Sequence, residues 1–276
     1  MKSFFDLLRD SVDVSRKSAL SILAIYIGMI LLGILGGILS FFIIGRQVMF
    51  LLPMLQSGMF DPDILSQFAP QLAIISVMFI LLMFFSFFVN FWIILVIRNN
   101  YLIGQSLLKI SFFEMLRKTP KMIFLMILGA IFFGGISGIA AFLLGRMSII
   151  VIIPFLIFCG PIFFVISYSV LCKEGNFWEI ISEAVSLGLK NWFRIVGYAF
   201  LFIICLMIFL AVVMFIVYAL TKVSTIVGQL FSALVQFVIT VFSSCFYTLF
   251  YLDIADIAPT QIEEINVSIE QPTPLQ

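Results

Sequence analysis

The chain has 276 residues, of which 63% are hydrophobic and only 11% charged, with 34 Phe and no His. No water-soluble core of this size needs so apolar a composition, which marks an integral membrane protein. A net charge of +1 offers no global basic field, which excludes nucleic acid as an expected partner.

The first element opens at Ser3-Phe4-Phe5-Asp6-Leu7-Leu8. A serine whose hydroxyl accepts from first-turn amides, followed three residues later by a carboxylate that reaches back, is a capping box, and the carboxylate also complements the helix dipole. Onward to Lys17, Phe5, Leu8 and Val12 recur at helical spacing while Arg9, Asp10, Asp13, Arg16 and Lys17 take other faces. The segment reads as a helix lying at the membrane interface, or as a solvated extension of the first span. That span, Ala19 to Ile44, is longer than a signal-peptide core and lacks a small-x-small cleavage site, so it is expected to remain as a membrane helix. Within it Gly33-xxx-Gly37 places small residues on one face, a spacing that lets helix backbones approach in lipid. The link Gly45 to Pro70 contains an apolar piece, Val48 to Leu55, and then Asp61-Pro62-Asp63, an N-cap with Pro at the first helical position. The second span, Gln71 to Ile97, carries Ser76, Ser86 and Asn90.

The cap pattern returns at Ser111-Phe112-Phe113-Glu114-Met115-Leu116, ahead of a third span at Lys121 to Leu144 with Ala130-xxx-Gly134-xxx-Gly138 on one face. Gly145-Arg146 then turns tightly into a fourth span, Met147 to Leu171, where Pro154 and Gly160-Pro161 remove backbone donors and predict a kink. A third cap, Asn176-Phe177-Trp178-Glu179-Ile180-Ile181, precedes spans five and six at Trp192 to Leu220 and Ile226 to Leu252. Further on, Val185 and Lys190 match Val12 and Lys17 of the first copy. Phe5, Phe113 and Trp178, equivalent in the three helix starts, are expected to face lipid or the span ends. The tail 259–276 has Pro and Glu but no Lys or Arg and is expected to be disordered. Cys159, Cys172, Cys205 and Cys245 fall in or at the ends of apolar runs without metal-ligand spacing, and read as small packing residues.

Odd-numbered turns carry Arg46, Arg146 and Lys222, while the other side carries Lys2, Arg9, Arg16, Lys17, Arg98, Lys109, Arg117, Lys118, Lys121, Lys173, Lys190 and Arg194. Twelve basic residues against three predict both termini and all three capped helices on the cytoplasmic side. The expected fold is all-α, a six-span membrane domain over 1–258 built from three parallel repeats of capped helix plus spanning hairpin, about 3–97, 111–171 and 176–252. Parallel copies circle an axis along the membrane normal, unlike the inverted repeats of many transporters.

In span six Gln229, Ser232, Gln236, Thr240, Ser243, Tyr247 and Tyr251 follow one another by steps of three or four, tracing one helical face, with Asn90 as a weaker counterpart in span two. Lipid cannot satisfy such a stripe, so it is expected to turn inward, either to bond neighbouring helices at about 1 kcal/mol per contact or to line a pathway or pocket for an amphipathic molecule. No acid or base sits deep in a span, Asp253 and Asp256 lying near an end, which argues against a proton relay or a charged selectivity ring. Without His, a paired intramembrane carboxylate, an activated nucleophile, a metal motif or a phosphate loop, neither enzymatic activity nor a cofactor is expected.

The triple unit, an aromatic-aromatic-acid helix start followed by a Phe-rich spanning hairpin, resembles the bacterial membrane domain found fused to glycerophosphoryl diester phosphodiesterases, and its stand-alone six-span relatives. The resemblance covers Ser3 to about Asp256. In that family hydrolysis belongs to a separate soluble barrel with acidic and His residues; these 276 residues contain neither that domain nor a single His, so the activity does not carry over. The resemblance implies a multi-pass protein of the bacterial cytoplasmic (inner) membrane with a lipid or envelope connection. Two functional readings follow: a lipid or small-molecule binder or transporter, with membrane lipids as partners, or a non-catalytic scaffold or accessory subunit holding a protein partner on the cytoplasmic side.

Overall fold

The computed structural model describes residues 1–56, 62–104 and 107–257. Seven helices occupy them: α1 Phe4–Gln56, α2 Pro62–Ile103, α3 Leu108–Leu144, α4 Ser148–Cys172, α5 Phe177–Lys190, α6 Trp192–Val223 and α7 Thr225–Ile254, with a 3-10 turn at Gly145–Met147 between α3 and α4. Among the described residues there is no strand. Six helices are long and apolar enough to cross a bilayer, all but the short amphipathic α5. The protein is therefore a multi-pass, all-α membrane protein.

α1 runs unbroken from Phe4, which is the second of the two readings of the first segment, an extension of its span. Other boundaries differ from expectation: α3 runs unbroken from Leu108, so the second capped segment is also an extension of its span. Only the third copy is detached, because α5 ends at Lys190 and Asn191 interrupts the backbone before α6. No Gly or Pro interrupts the first join, and at the second the helix passes through Pro120 without breaking. The expected link Gly45 to Pro70 is mostly helical, since α1 continues to Gln56 and α2 begins at Pro62, the position where proline's missing N–H costs nothing. α4 likewise passes through Pro154 and Pro161 without losing helical backbone on either side. The Asp61 cap, the Ser76 side chain, Gly37 and the tail 259–276 lie outside the described residues.

The small-residue faces do not pack as anticipated. A Cβ added at Gly33, Gly134 or Gly138 would meet nothing within 4 Å. The close approaches occur elsewhere: a Cβ at Gly129 would come within 2.7 Å of the Phe163 ring, and one at Gly188 within 3.2 Å of the Ile162 backbone. These two glycines let α3 and α5 close on α4.

The chain divides into two compact units, Met1–Ala19 with Ile94 onward, and Leu20–Ile93. The second comprises most of α1 with the greater part of α2, and its buried residues include Ile22, Ile25, Val89 and Phe91. The first unit holds its core at one end of its helices, where Leu7, Leu95, Ile97, Leu171, Phe246, Phe250, Tyr251 and Leu252 are buried. Polar contacts at that end join the start of α1 to the ends of α2 and α7 and the start of α6, and join the end of α2 to the start of α3 and the end of α4. Away from it, Phe142, Phe215, Ile226 and Leu230 stand exposed, as the lipid-facing parts of a membrane helix should.

Candidate functional site

The three helix starts form by different means. At the first, Ser3 Oγ accepts from the Asp6 N–H at 3.2 Å while the Asp6 carboxylate accepts from the Ser3 N–H at 3.3 Å and hydroxyl at 2.6 Å, a complete capping box. At the third, Asn176 Oδ1 accepts from the Trp178 N–H at 3.3 Å. The second is corrected: α3 begins four residues before the expected first turn, and Leu107 in its cap position makes no side-chain bond. Ser111 is instead buried inside the helix, accepting from Asn99 Nδ2 at 2.9 Å, and Glu114 accepts from Arg98 at 2.7 Å and Lys118 at 2.9 Å. The same aromatic position is exposed in all three copies. Phe5, Phe113 and Trp178 are 76%, 59% and 60% exposed, whereas Leu7, Met115 and Ile180 two residues on are buried.

The polar lattice at this end was not anticipated as a unit. Lys118, only 4% exposed, donates to the Leu171 carbonyl at 2.5 Å, and Arg98 Nη1 donates to the Cys172 carbonyl at 3.4 Å. Two cations thus complement the last carbonyls of α4, where the helix dipole is negative. Asn100 Nδ2 reaches Ser18 Oγ at 2.6 Å. A second cluster clasps the N-terminus: the Lys2 N–H donates to Asp253 Oδ1 at 2.9 Å, and Arg194 Nη2 donates to Asp253 Oδ2 at 2.6 Å and to the Lys2 carbonyl at 2.8 Å. The Lys2 ammonium bonds Asp10 and the Tyr101 hydroxyl. Burial opposes its charged form, but those two partners outweigh the burial and hold it above its ordinary pKa. The available signal was Arg98-Asn99-Asn100 placed directly after an apolar run, a stretch too polar to be left unpaired near the core.

The α7 stripe divides in two. At its C-terminal end Tyr251 is fully buried and donates to Ser169 Oγ at 3.0 Å, and the Tyr247 ring stands 5.9 Å from Phe164 of α4. Ser243 and Thr240 are half-buried, and the Thr240 hydroxyl donates to its own helix at the Gln236 carbonyl, 2.8 Å away. Gln229, Ser232 and Gln236 are exposed, and no interhelical bond to them occurs among the described residues. The expected inward stripe, satisfied from end to end, is therefore present only over its last turns. Asn90, in the other unit, is also exposed and donates to the Ser86 carbonyl of its own helix at 3.0 Å.

On another side of α7 lies a groove of about 670 Å³. Its walls are Leu8, Val12, Ser15 and Ala19 of α1, Phe202, Leu206 and Phe209 of α6, and Phe237, Val241 and Phe242 of α7. Leu8, Val12, Ser15 and Ala19 recur at i, i+4, i+7 and i+11, one helical face. Arg9 and Arg16 complete the α1 side; at seven residues apart they share a face within about 20°. Both are exposed, and neither pairs with an acid among the described residues, where Asp6 is held by Ser3 and Asp10 by Lys2. The Ser15 hydroxyl is buried beside the Cys245 thiol. The spacing of Leu8 and Val12 marks an interfacial face, and their place in a groove shared with α6 and α7 is a tertiary fact. Comparison with known proteins finds no match among family models, curated proteins or solved structures.

Proposed function

We propose that this membrane protein binds an amphipathic lipid-like molecule in the groove between α1, α6 and α7, without catalysing its conversion. One observation carries the reading: a continuous apolar concavity of about 670 Å³, inside the range typical of small-molecule sites, opens between helices of a membrane protein. A wall of aliphatic and Phe side chains demands no hydrogen bond of its occupant and is as apolar as the lipid around it, so an acyl chain is its natural occupant. The setting is the bacterial cytoplasmic membrane with both termini cytoplasmic, supported by the bias of basic residues.

The proposal includes descent of the three segments from one repeated unit. Equivalent positions support it: Ser11 Oγ donates to the Leu7 carbonyl at 2.6 Å, and Thr119 Oγ1 donates to the Met115 carbonyl at 2.9 Å. Ser18 and Asn191, equivalent in the first and third copies, are both buried. Kinship with the membrane domain of glycerophosphoryl diester phosphodiesterases remains part of the proposal.

The test is retention of lipid by the purified protein, counted by native mass spectrometry. Ala19→Phe fills the groove from the α1 side. The wild type should retain lipid and the variant should lose at least tenfold in occupancy at unchanged helicity. Equal retention would remove the groove as the site and leave the scaffold reading, with a cytoplasmic protein partner, in its place.

A further inference from the structure

Resting on the groove reading, we infer that the occupant is an anionic phospholipid whose phosphate sits against Arg9 and Arg16 with its acyl chains along the Phe-lined wall. Charge complementarity commits the groove to this class. Around the same end of the unit Arg98, Arg117, Lys118, Lys173 and Arg194 each pair with a carboxylate, so their charge is already answered within the protein. Arg9 and Arg16 form no ion pair among the described residues, Arg9 having only the longer-range pull of Asp6, and they are the cations that border the apolar groove. The seven-residue step between them rises about 10.5 Å along α1, so both guanidiniums can flank one headgroup. Between them Ser15 supplies a hydroxyl on the groove wall. A guanidinium fits phosphate oxygens bidentately and is only weakly hydrated, which favours it over lysine where lipid excludes water.

The groups facing the site set its selectivity. Asp13 lies on the neighbouring face, four residues from Arg9 and three from Arg16, and is itself without an ion pair among the described residues. It offers one carboxylate to a headgroup ammonium, against two guanidiniums for an anion. A phosphatidylglycerol headgroup keeps its phosphate charge uncancelled for the two guanidiniums, which outnumber the single Asp13 carboxylate, whereas phosphatidylcholine brings a bulky ammonium and no net charge. Phosphatidylethanolamine, whose small ammonium reaches a carboxylate more readily, falls between them. The order expected is therefore phosphatidylglycerol, then phosphatidylethanolamine, then phosphatidylcholine.

Delipidated full-length protein in neutral detergent is titrated with the three lipids carrying identical acyl chains. Phosphatidylglycerol should bind about tenfold tighter than phosphatidylcholine at low salt, and the preference should shrink as salt rises. The double variant Arg9→Gln/Arg16→Gln should bring phosphatidylglycerol down to the phosphatidylcholine level while leaving phosphatidylcholine binding unchanged. Lys17→Gln/Lys190→Gln removes the same charge away from the groove and should leave the preference intact; a matching loss there would make the preference a property of the whole surface and overturn the inference. Equal binding of the three lipids to the wild type, or an undiminished preference in the arginine variant, also overturns it. Those results leave the groove reading standing if Ala19→Phe still abolishes phosphatidylcholine binding, and the groove reading itself falls if Ala19→Phe binds every lipid as the wild type does. Arg9→Lys/Arg16→Lys guards against misfolding and should keep a reduced preference.

Discussion

The two halves of α7 carry the same class of residue at the same spacing and meet opposite surroundings. Toward Ile254, Tyr247 and Tyr251 lie against Phe164, Tyr168 and Ser169 of α4. Toward Thr225, Gln229, Ser232 and Gln236 stand open. Spacing therefore specifies which residues share a face, and the neighbouring helices decide how far along that face burial extends. The half that packs is also the half beside the ion-paired lattice, where charge partners from four helices hold the ends together.

The contrast breaks most sharply at Tyr251. Tyr251→Ala removes a fully buried ring and its bond to Ser169, and should lower stability by about 3 to 5 kcal/mol. Tyr251→Phe removes the hydrogen bond alone and should cost about 1 kcal/mol. Unfolding in detergent, followed by circular dichroism, reads both; similar values for the two would deny that the ring is packed.

Lys118→Met should follow, at about 3 kcal/mol, because it leaves the Glu114 carboxylate and the α4 terminal carbonyls short of a buried cation. A double-mutant cycle with Glu114→Gln checks it, and the two losses should not add.

Asp253→Asn acts locally. It weakens the Arg194 ion pair that closes on the first residues and should cost about 1 to 2 kcal/mol. Faster hydrogen exchange confined to residues 2–10, with α3 unchanged, is the expected pattern; uniform acceleration would place the clasp in the global core instead.

The smallest effect sharpens the comparison from its open side. Gln236→Leu should shift stability by no more than about 0.5 kcal/mol, since the exposed amide has no interhelical partner to lose. Thr240→Val should be similarly quiet, its hydroxyl being bonded within its own helix. A loss above 1 kcal/mol in either would mean that a further surface covers that half of α7.

Much of the scaffold was legible because it depends on local chemistry. Six long apolar stretches must be helical in a bilayer, since lipid satisfies no backbone group, and the Ser3 and Asn176 caps use side chains within three residues of the bonds they make. The outward turn of Phe5, Phe113 and Trp178 was legible for the same reason, as each sits beside a buried aliphatic on a helix of known period. Ser111 and Glu114 show where this logic ends. Their pattern is that of a cap, but Asn99 and Arg98, brought alongside by tertiary packing, bind both side chains more usefully within the helix.

Composition and interactions within a turn or two suffice for the membrane class, the number of spans, the helix periods and the shared face of the α7 polar residues. Packing between distant helices buries Lys118 on the end of α4, brings a neighbour against Gly129 and Gly188 rather than against the glycine stripes, and sets Arg9 and Arg16 beside an apolar groove. Those outcomes depend on which faces of distant helices come together, and a helix face carries no record of its partner when most of its residues are equally apolar.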